Sequence, residues 1–190
     1  TDEFMALCRQ AGAEPIFVAN LETGFVHGDV DGGVRMAAEW VEHCNRRNDY
    51  NVKLWEIGNE TYLYNPGKHK RAKVTPEMYA DAYLKYSRAM KVVDPSIRTG
   101  AIGPTRKEGW WTVVLPRIKD EVDFVVVHEY FKSSWGAPVG RAEAIGRFRD
   151  YVRHVVPDRA VPIALTEWNT NKATEGSEFA QAIMVSEMAL

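Results

Sequence analysis

Two glutamates at the ends of apolar segments are the residues best placed to do chemistry. Glu60 follows the apolar segment 52–57 and has an amide side chain, Asn59, directly before it, and Glu167 follows a second apolar segment, 161–165. Short apolar runs of this length predict buried strands. Cleavage of a glycosidic bond requires a pair of carboxyl groups, one that donates a proton and one that acts as nucleophile or base. The sequence therefore predicts a glycoside-cleaving site built on Glu60 and Glu167.

Strand-like and helical segments alternate along the whole chain. Apolar runs predict strands at 15–19, 52–58, 98–103, 124–127 and 162–166. Helical spacing of apolar residues predicts helices at 1–12, 34–44, 75–93, 111–118, 141–155 and 178–190. The Gly- and Asp-rich residues 21–33 are predicted to form a loop. This alternation predicts an α/β fold with a parallel sheet made of strand-helix-strand units.

Two architectures satisfy that alternation, a doubly wound open sheet and a (β/α)8 TIM barrel. No Gly-rich phosphate turn follows any predicted strand, which disfavours a nucleotide-binding open sheet. Polar side chains follow several different strands, where barrel enzymes place their chemistry. We therefore expect a TIM barrel. Five strands cannot close one without leaving two apolar edges, so we expect residues 1–190 to be a partial barrel domain. The flanking strands and any β-sandwich domain would then lie outside this chain.

Composition and motifs disfavour several other classes. The formal net charge of -2 gives no electrostatic reason to expect nucleic acid or an acidic membrane as partner, and no apolar run approaches membrane-spanning length. The five histidines lack zinc-ligand spacing, so neither a metal nor a cofactor is expected. Residues 28–33 faintly resemble a calcium loop but lack its terminal glutamate, and a solvated loop is expected instead. Cys8 and Cys44 are expected to be buried free thiols, with a disulfide as the alternative.

Three motifs resemble those of the clan A glycoside hydrolases, and in particular family 51, the α-L-arabinofuranosidases. They are Trp-Glu-Ile-Gly-Asn-Glu at 55–60, His-Glu-Tyr at 128–130 and Thr-Glu-Trp-Asn at 166–169. Each follows a predicted strand, in the order of the family's fourth, sixth and seventh strands. The opening Thr-Asp-Glu-Phe and the segments 38–45 and 93–97 are also similar to that family. The resemblance covers most of the chain and implies that it carries about strands 3 to 7 of the barrel.

The resemblance implies a role for each of five residues in a retaining double displacement. Glu60 would be the general acid/base and Glu167 the nucleophile. Asn59 would hydrogen-bond the 2-hydroxyl of the sugar, an interaction that strengthens in the transition state. His128 and Tyr130 would orient the nucleophile and contact the sugar.

Two tryptophans have alternative interpretations. Trp168 is predicted to stack on a sugar face, and filling the barrel rim is its alternative; the same two interpretations apply to Trp135. The chain departs from the family at Thr166, where an acidic residue is common, and at 170–172, where an aromatic-rich continuation is usual. Both departures lie near the expected sugar and bear on substrate choice.

The implied reaction is removal of terminal α-L-arabinofuranosyl residues from plant polysaccharides or oligosaccharides. The alternatives are another clan A activity, such as a β-xylosidase or an endoglucanase, and a non-catalytic carbohydrate-binding barrel fragment. The expected partner is a carbohydrate substrate. Members of the family often form oligomers, so a homo-oligomer is left open, as is a cytoplasmic or secreted location.

Overall fold

The computed structural model describes residues 1–63, 72–105, 108–131 and 137–170. The strands are β1 (Ile16–Ala19), β2 (Leu54–Ile57), β3 (Arg98–Ile102), β4 (Phe124–Phe131) and β5 (Ile163–Thr170). The helices are α1 (Asp2–Ala11), α2 (Glu22–His27), α3 (Val30–Val41), α4 (Pro76–Val93), α5 (Glu108–Ile118) and α6 (Ala137–Val155). A π-helical turn, Glu42–Arg47, continues α3. The predicted final helix at 178–190 lies outside the described residues.

The five strands form one parallel sheet in the order β1-β2-β3-β4-β5. A doubly wound sheet reverses its strand order part-way, whereas a barrel wall adds each new strand beside the last one. The sheet is therefore half of a barrel with helices outside it. This confirms the predicted α/β class and the preference for the barrel.

Helix α4 fixes the sheet from outside through a stripe of buried tyrosines. The hydroxyls of Tyr79, Tyr83 and Tyr86 donate to the backbone carbonyls of Ile57, Thr99 and Asn20, respectively, at 2.9, 2.9 and 3.0 Å. All three rings are fully buried, as the helical spacing of the stripe predicts. The helix begins as predicted, because the Thr75 hydroxyl accepts from the Met78 backbone amide at 3.3 Å. The rings thus pack against the sheet while their hydroxyls pair with strand backbone.

The prediction of a loop at 21–33 is wrong, because those residues form α2 and the start of α3. Asn20 Oδ1 accepts from the Thr23 amide at 3.0 Å, and Asp29 Oδ1 accepts from the Gly32 amide at 2.7 Å. Gly28, in the left-handed conformation with φ 67°, ends α2. The same Asp and Gly residues that suggested a loop or a calcium site therefore act as helix caps.

Strands β4 and β5 are longer than predicted. The segment from His128 to Phe131 pairs with that from Glu167 to Thr170, so the polar residues that were expected beyond the strands lie within them. The register shifts between Val127 and His128, which leaves Thr166 as one extra residue in β5. The apolar runs marked only the first halves of both strands.

Both cysteines are buried free thiols, which confirms that expectation. Burial raises the pKa of the Cys44 thiol to about 11. Among the described residues, no helix is both long and apolar enough to cross a membrane.

Candidate active site

The two glutamates singled out from the sequence meet at the carboxyl edge of the sheet. Glu60 lies three residues after β2, and Glu167 lies in β5. Curvature of the sheet across β3 and β4 brings the two strand ends together. A carboxylate oxygen of each glutamate and a ring nitrogen of His128 all lie within 4.8 Å of one another.

His128 lies between the two carboxylates. Its Nδ1 is 3.3 Å from Glu60 Oε1 and 3.6 Å from Glu167 Oε2. Its Nε2 is 3.1 Å from the hydroxyl oxygen of Thr166. The two ring nitrogens therefore contact the carboxylates on one side and the Thr166 hydroxyl on the other. The imidazole is thus held by the residue before Glu167 and by both glutamates.

Tyr130 is a hydrogen-bond donor to Glu167. Its hydroxyl donates to Glu167 Oε2 at 3.0 Å. This bond raises the pKa of the Tyr130 hydroxyl above its ordinary value, and partial burial adds to the shift. The phenol therefore stays protonated and remains a donor to Glu167.

The turn that carries Glu60 is held by a residue that the sequence analysis did not identify. Glu22 Oε1 accepts from the Asn59 backbone amide at 3.0 Å and from the Thr61 hydroxyl. Gly58 adopts φ 81°, and a Cβ there would lie 2.5 Å from the Thr61 hydroxyl oxygen. The available signal was a carboxylate three residues after the end of β1, but the residue was assigned to the loop predicted over 21–33.

Glu56 lies in β2 with its side chain in the barrel interior. It is 1% exposed, and its Oε1 is the one buried side-chain polar atom without a hydrogen-bond partner among the described residues. Burial raises its pKa to about 8, and the negative charges of Glu167 and Glu22 add to the shift; a hydrogen bond from Thr166 opposes it. Glu56 is therefore protonated at neutral pH.

The other predicted site residues are Asn59, Trp168 and Trp135, and they do not all lie at the cavity. Asn59 lines a cavity of about 500 Å³ together with Glu56, His128, Thr166 and Glu167. Trp168 is 39% exposed. As the next residue after Glu167 in β5, its side chain leaves the strand on the other face. Trp135 lies outside the described residues.

Glu60, His128 and Glu167 are also the described residues whose ligand atoms are close enough together to share a metal ion. Carboxylate and imidazole groups bind several divalent cations. The expectation that this site needs no metal therefore stays a prediction, and a chelator distinguishes the two possibilities.

Comparisons with known proteins identify relatives of the chain. No family model matches it. The probable α-L-arabinofuranosidase C of Aspergillus fumigatus is 32% identical over 125 residues, which are 58% of this chain and 22% of that protein. The α-L-arabinofuranosidase of Thermotoga maritima, solved in complex with arabinose, matches 99% of the chain with a TM-score of 0.76 and 30% identity. The thermostable family 51 α-L-arabinofuranosidase of Thermotoga petrophila RKU-1 matches all of it with a TM-score of 0.76 and 29% identity.

The chain is homologous to the family 51 α-L-arabinofuranosidases. The resemblance identified from its three motifs is thereby confirmed. This family 51 homologue spans 22% of the length of the Aspergillus relative and 42% of each Thermotoga chain. Its five-stranded half-barrel corresponds to part of the barrel of those enzymes.

Proposed function

We propose that the chain supplies the two catalytic carboxyl groups of a retaining glycoside hydrolase. The observation that carries the proposal is that oxygens of Glu60 and Glu167 lie within 4.8 Å of each other at one edge of the sheet. Retaining glycosidases hold their carboxyl groups about 5 to 5.5 Å apart, and inverting enzymes about 6.5 to 9.5 Å apart. The short separation supports double displacement.

In the first step, Glu60 protonates the glycosidic oxygen while the Glu167 carboxylate attacks the anomeric carbon. The bond to the leaving group breaks and an ester between the sugar and Glu167 forms. In the second step, Glu60 takes a proton from water, the water oxygen attacks the anomeric carbon, and the ester bond breaks. Both glutamates return to their starting protonation states.

Neighbouring side chains would orient this pair. The Tyr130 hydroxyl donates to Glu167 Oε2, so Oε1 is the oxygen that would attack the anomeric carbon. His128 Nδ1 contacts both carboxylates and would fix their relative position. Asn59 would bind the 2-hydroxyl of the sugar.

We propose terminal α-L-arabinofuranosyl groups of plant polysaccharides or oligosaccharides as the substrate. The homology to α-L-arabinofuranosidases and the arabinose bound to the Thermotoga maritima enzyme support this choice. In this proposal the five strands are strands 3 to 7 of an eight-stranded barrel, and the remaining strands complete the sugar site.

Nitrophenyl glycosides and the full-length protein test the function. We expect cleavage of the α-L-arabinofuranoside in preference to the β-xyloside and β-glucoside, and NMR of the first product should show the retained anomer. Glu167→Ala should abolish turnover. Glu60→Ala should lose roughly 10²- to 10⁴-fold on substrates with poor leaving groups. Azide should speed its turnover of activated nitrophenyl substrates, because azide attacks the anomeric carbon of the ester intermediate in place of water. Glu143→Ala, on the exposed surface of α6, is the control and should retain activity.

Three results would contradict the proposal: failure to cleave arabinofuranosides, an inverted product, or an active Glu167→Ala variant. A chelator should leave the rate unchanged. Loss of the rate on chelation would instead assign Glu60, His128 and Glu167 to a metal site.

A further inference from the structure

We propose that Glu22 is a positioning residue that holds the turn presenting Glu60 to the substrate. The inference rests on the proposed role of Glu60 as the acid/base. It concerns a side chain on a different element, 38 residues earlier in the chain, that takes no part in the proton transfers themselves.

The backbone of Glu60 has an unfavourable conformation. Its φ of 52° lies in the left-handed region, which a residue with a Cβ adopts only when its surroundings impose it. In this turn the conformation determines where the carboxyl group points. If the turn relaxed, the Glu60 carboxyl would move relative to Glu167 and His128.

One oxygen of Glu22 contacts the residues on both sides of Glu60. Glu22 Oε1 accepts from the Asn59 backbone amide at 3.0 Å and from the Thr61 hydroxyl. A charged acceptor makes stronger hydrogen bonds than a neutral one. These two bonds hold the backbone before Glu60 and the side chain after it, so they oppose rotation of Glu60 out of the left-handed region.

The position of Glu22 follows from the strand order. It is the first residue of α2, which follows β1, and β1 pairs with β2 along their whole length. The pairing continues past β2, because the Gly58 amide donates to the Ala19 carbonyl at 2.9 Å. Leu63 closes the far side of the turn by donating its amide to the Glu60 carbonyl at 2.8 Å. Backbone hydrogen bonds at Gly58 and Leu63 therefore fix the two ends of the turn, and Glu22 contacts the residues between them.

A positioning role and a purely structural role predict different kinetics. Glycosides with good leaving groups, such as dinitrophenol, depart with little protonation, whereas an oligosaccharide needs the acid. The ratio kcat/KM reports the first, bond-breaking displacement. A misplaced Glu60 should slow that step selectively for the oligosaccharide, whereas a smaller folded fraction would slow both substrates equally.

The experiment uses the full-length protein with Glu22→Ala, Glu22→Gln and Thr61→Val. For Glu22→Ala we expect kcat/KM on an arabino-oligosaccharide to fall roughly 10- to 100-fold, with little change on the dinitrophenyl arabinofuranoside. Glu22→Gln retains an oxygen acceptor and should recover most of the loss. Thr61→Val should show the same selectivity with a smaller loss, and adding it to Glu22→Ala should cost little more, because both remove the same contact. Glu14→Ala, exposed before β1, is the matched control and should match the wild type.

Equal loss on both substrates, no loss on either, or a Glu22→Gln variant as defective as Glu22→Ala would overturn the inference. If the wild-type protein cleaves neither substrate, the proposed function fails instead. In that case a crystal structure of Glu22→Ala decides: a Glu60 that leaves the left-handed region supports the positioning role, and an unchanged turn refutes it.

Discussion

At the residue scale, four glutamates in one site have unlike surroundings. The side chains of Glu60 and Glu167 are 23% and 40% exposed, which gives a substrate access to both. Glu22 accepts two hydrogen bonds, and Glu56 lines the cavity with only 1% of its surface exposed. Although Glu56 is only four residues from Glu60, it is far more buried than Glu60.

Burial of Glu56 should make stability depend on pH. Its folded-state pKa of about 8 lies above the ordinary 4.5, so its contribution is fully present below pH 4.5 and is lost as pH rises towards 8. Glu56→Gln, which cannot ionise, should therefore become more stable than the wild type as pH rises through this window. Since one pKa unit corresponds to about 1.4 kcal/mol, the difference should reach a few kcal/mol. Urea unfolding of both full-length proteins across this pH range measures it.

Subtracting the wild-type curve removes the pH dependence of the other carboxyl groups. Glu14→Gln, at an exposed position, serves as the control and should give a flat difference. A flat difference for Glu56→Gln as well would mean that Glu56 is ionised in the folded protein.

The sequence was informative about single residues when their context was local. Glu60 and Glu167 each follow an apolar strand, and that pattern is visible in a few neighbouring letters. Glu22 was missed because its contacts with Asn59 and Thr61 span 37 and 39 residues and depend on a left-handed turn. No pattern near Glu22 encodes that turn.

At the element scale, α6 is tied to the end of β4 by Arg141. Its Nη1 lies 3.0 Å from Glu129 Oε2, and its Nη2 donates to the Tyr130 carbonyl at 2.9 Å. The Thr105 hydroxyl also donates to Glu129. These contacts hold the strand segment whose other face presents His128 and Tyr130 to the glutamates.

Removing Arg141 should destabilise the protein and reduce its activity. Arg141→Ala leaves Glu129, whose side chain is 3% exposed, without its cation, which should cost on the order of 3 kcal/mol. The freed strand end should also misplace the Tyr130 hydroxyl and lower kcat. Thermal unfolding and turnover of the full-length variant measure both effects.

Arg147→Ala is the matched control on the same helix. Its partner Glu143 is 3.8 Å away and both side chains are mostly exposed, so the change should be negligible. If the two variants behaved alike, the contact between α6 and β4 would have no special importance.

The bounds of a helix or strand were predictable where a local sequence signal marks them. The start of α4 follows from Thr75 and Pro76, and the structure agrees. The extensions of β4 and β5 were missed because strands were recognised by apolar residues. The polar half of β4, from His128 onwards, is held instead by backbone pairing with β5, which a single sequence does not display.

At the scale of the whole molecule, the sheet has two outer strands. Within the described residues, β1 and β5 each pair on one side only. Val18 in β1 is 40% exposed on a strand that a complete barrel would cover. Unpaired parallel edges with apolar side chains invite association with other chains.

A polypeptide of residues 1–190 expressed alone should therefore self-associate. Light scattering after size-exclusion chromatography should show oligomers or aggregates, and Val18→Lys should reduce them by placing a charge at the edge. A monodisperse monomer with native-like circular dichroism would show that the half-barrel is stable with both edges open.

The extra residue in β5 determines which side chains one imidazole meets. Successive residues of a regular strand point in opposite directions, yet Thr166 and Glu167 both contact His128, one at each ring nitrogen. Leu165 pairs with Val127, and Glu167 pairs with His128. On both sides of the bulge, paired residues of β4 and β5 therefore point to the same face of the sheet. Thr166 is thus one inserted residue that does not change which face the paired side chains occupy. Deleting it would restore an uninterrupted ladder with Glu167 still facing the cavity, and would remove the hydroxyl that contacts His128 Nε2.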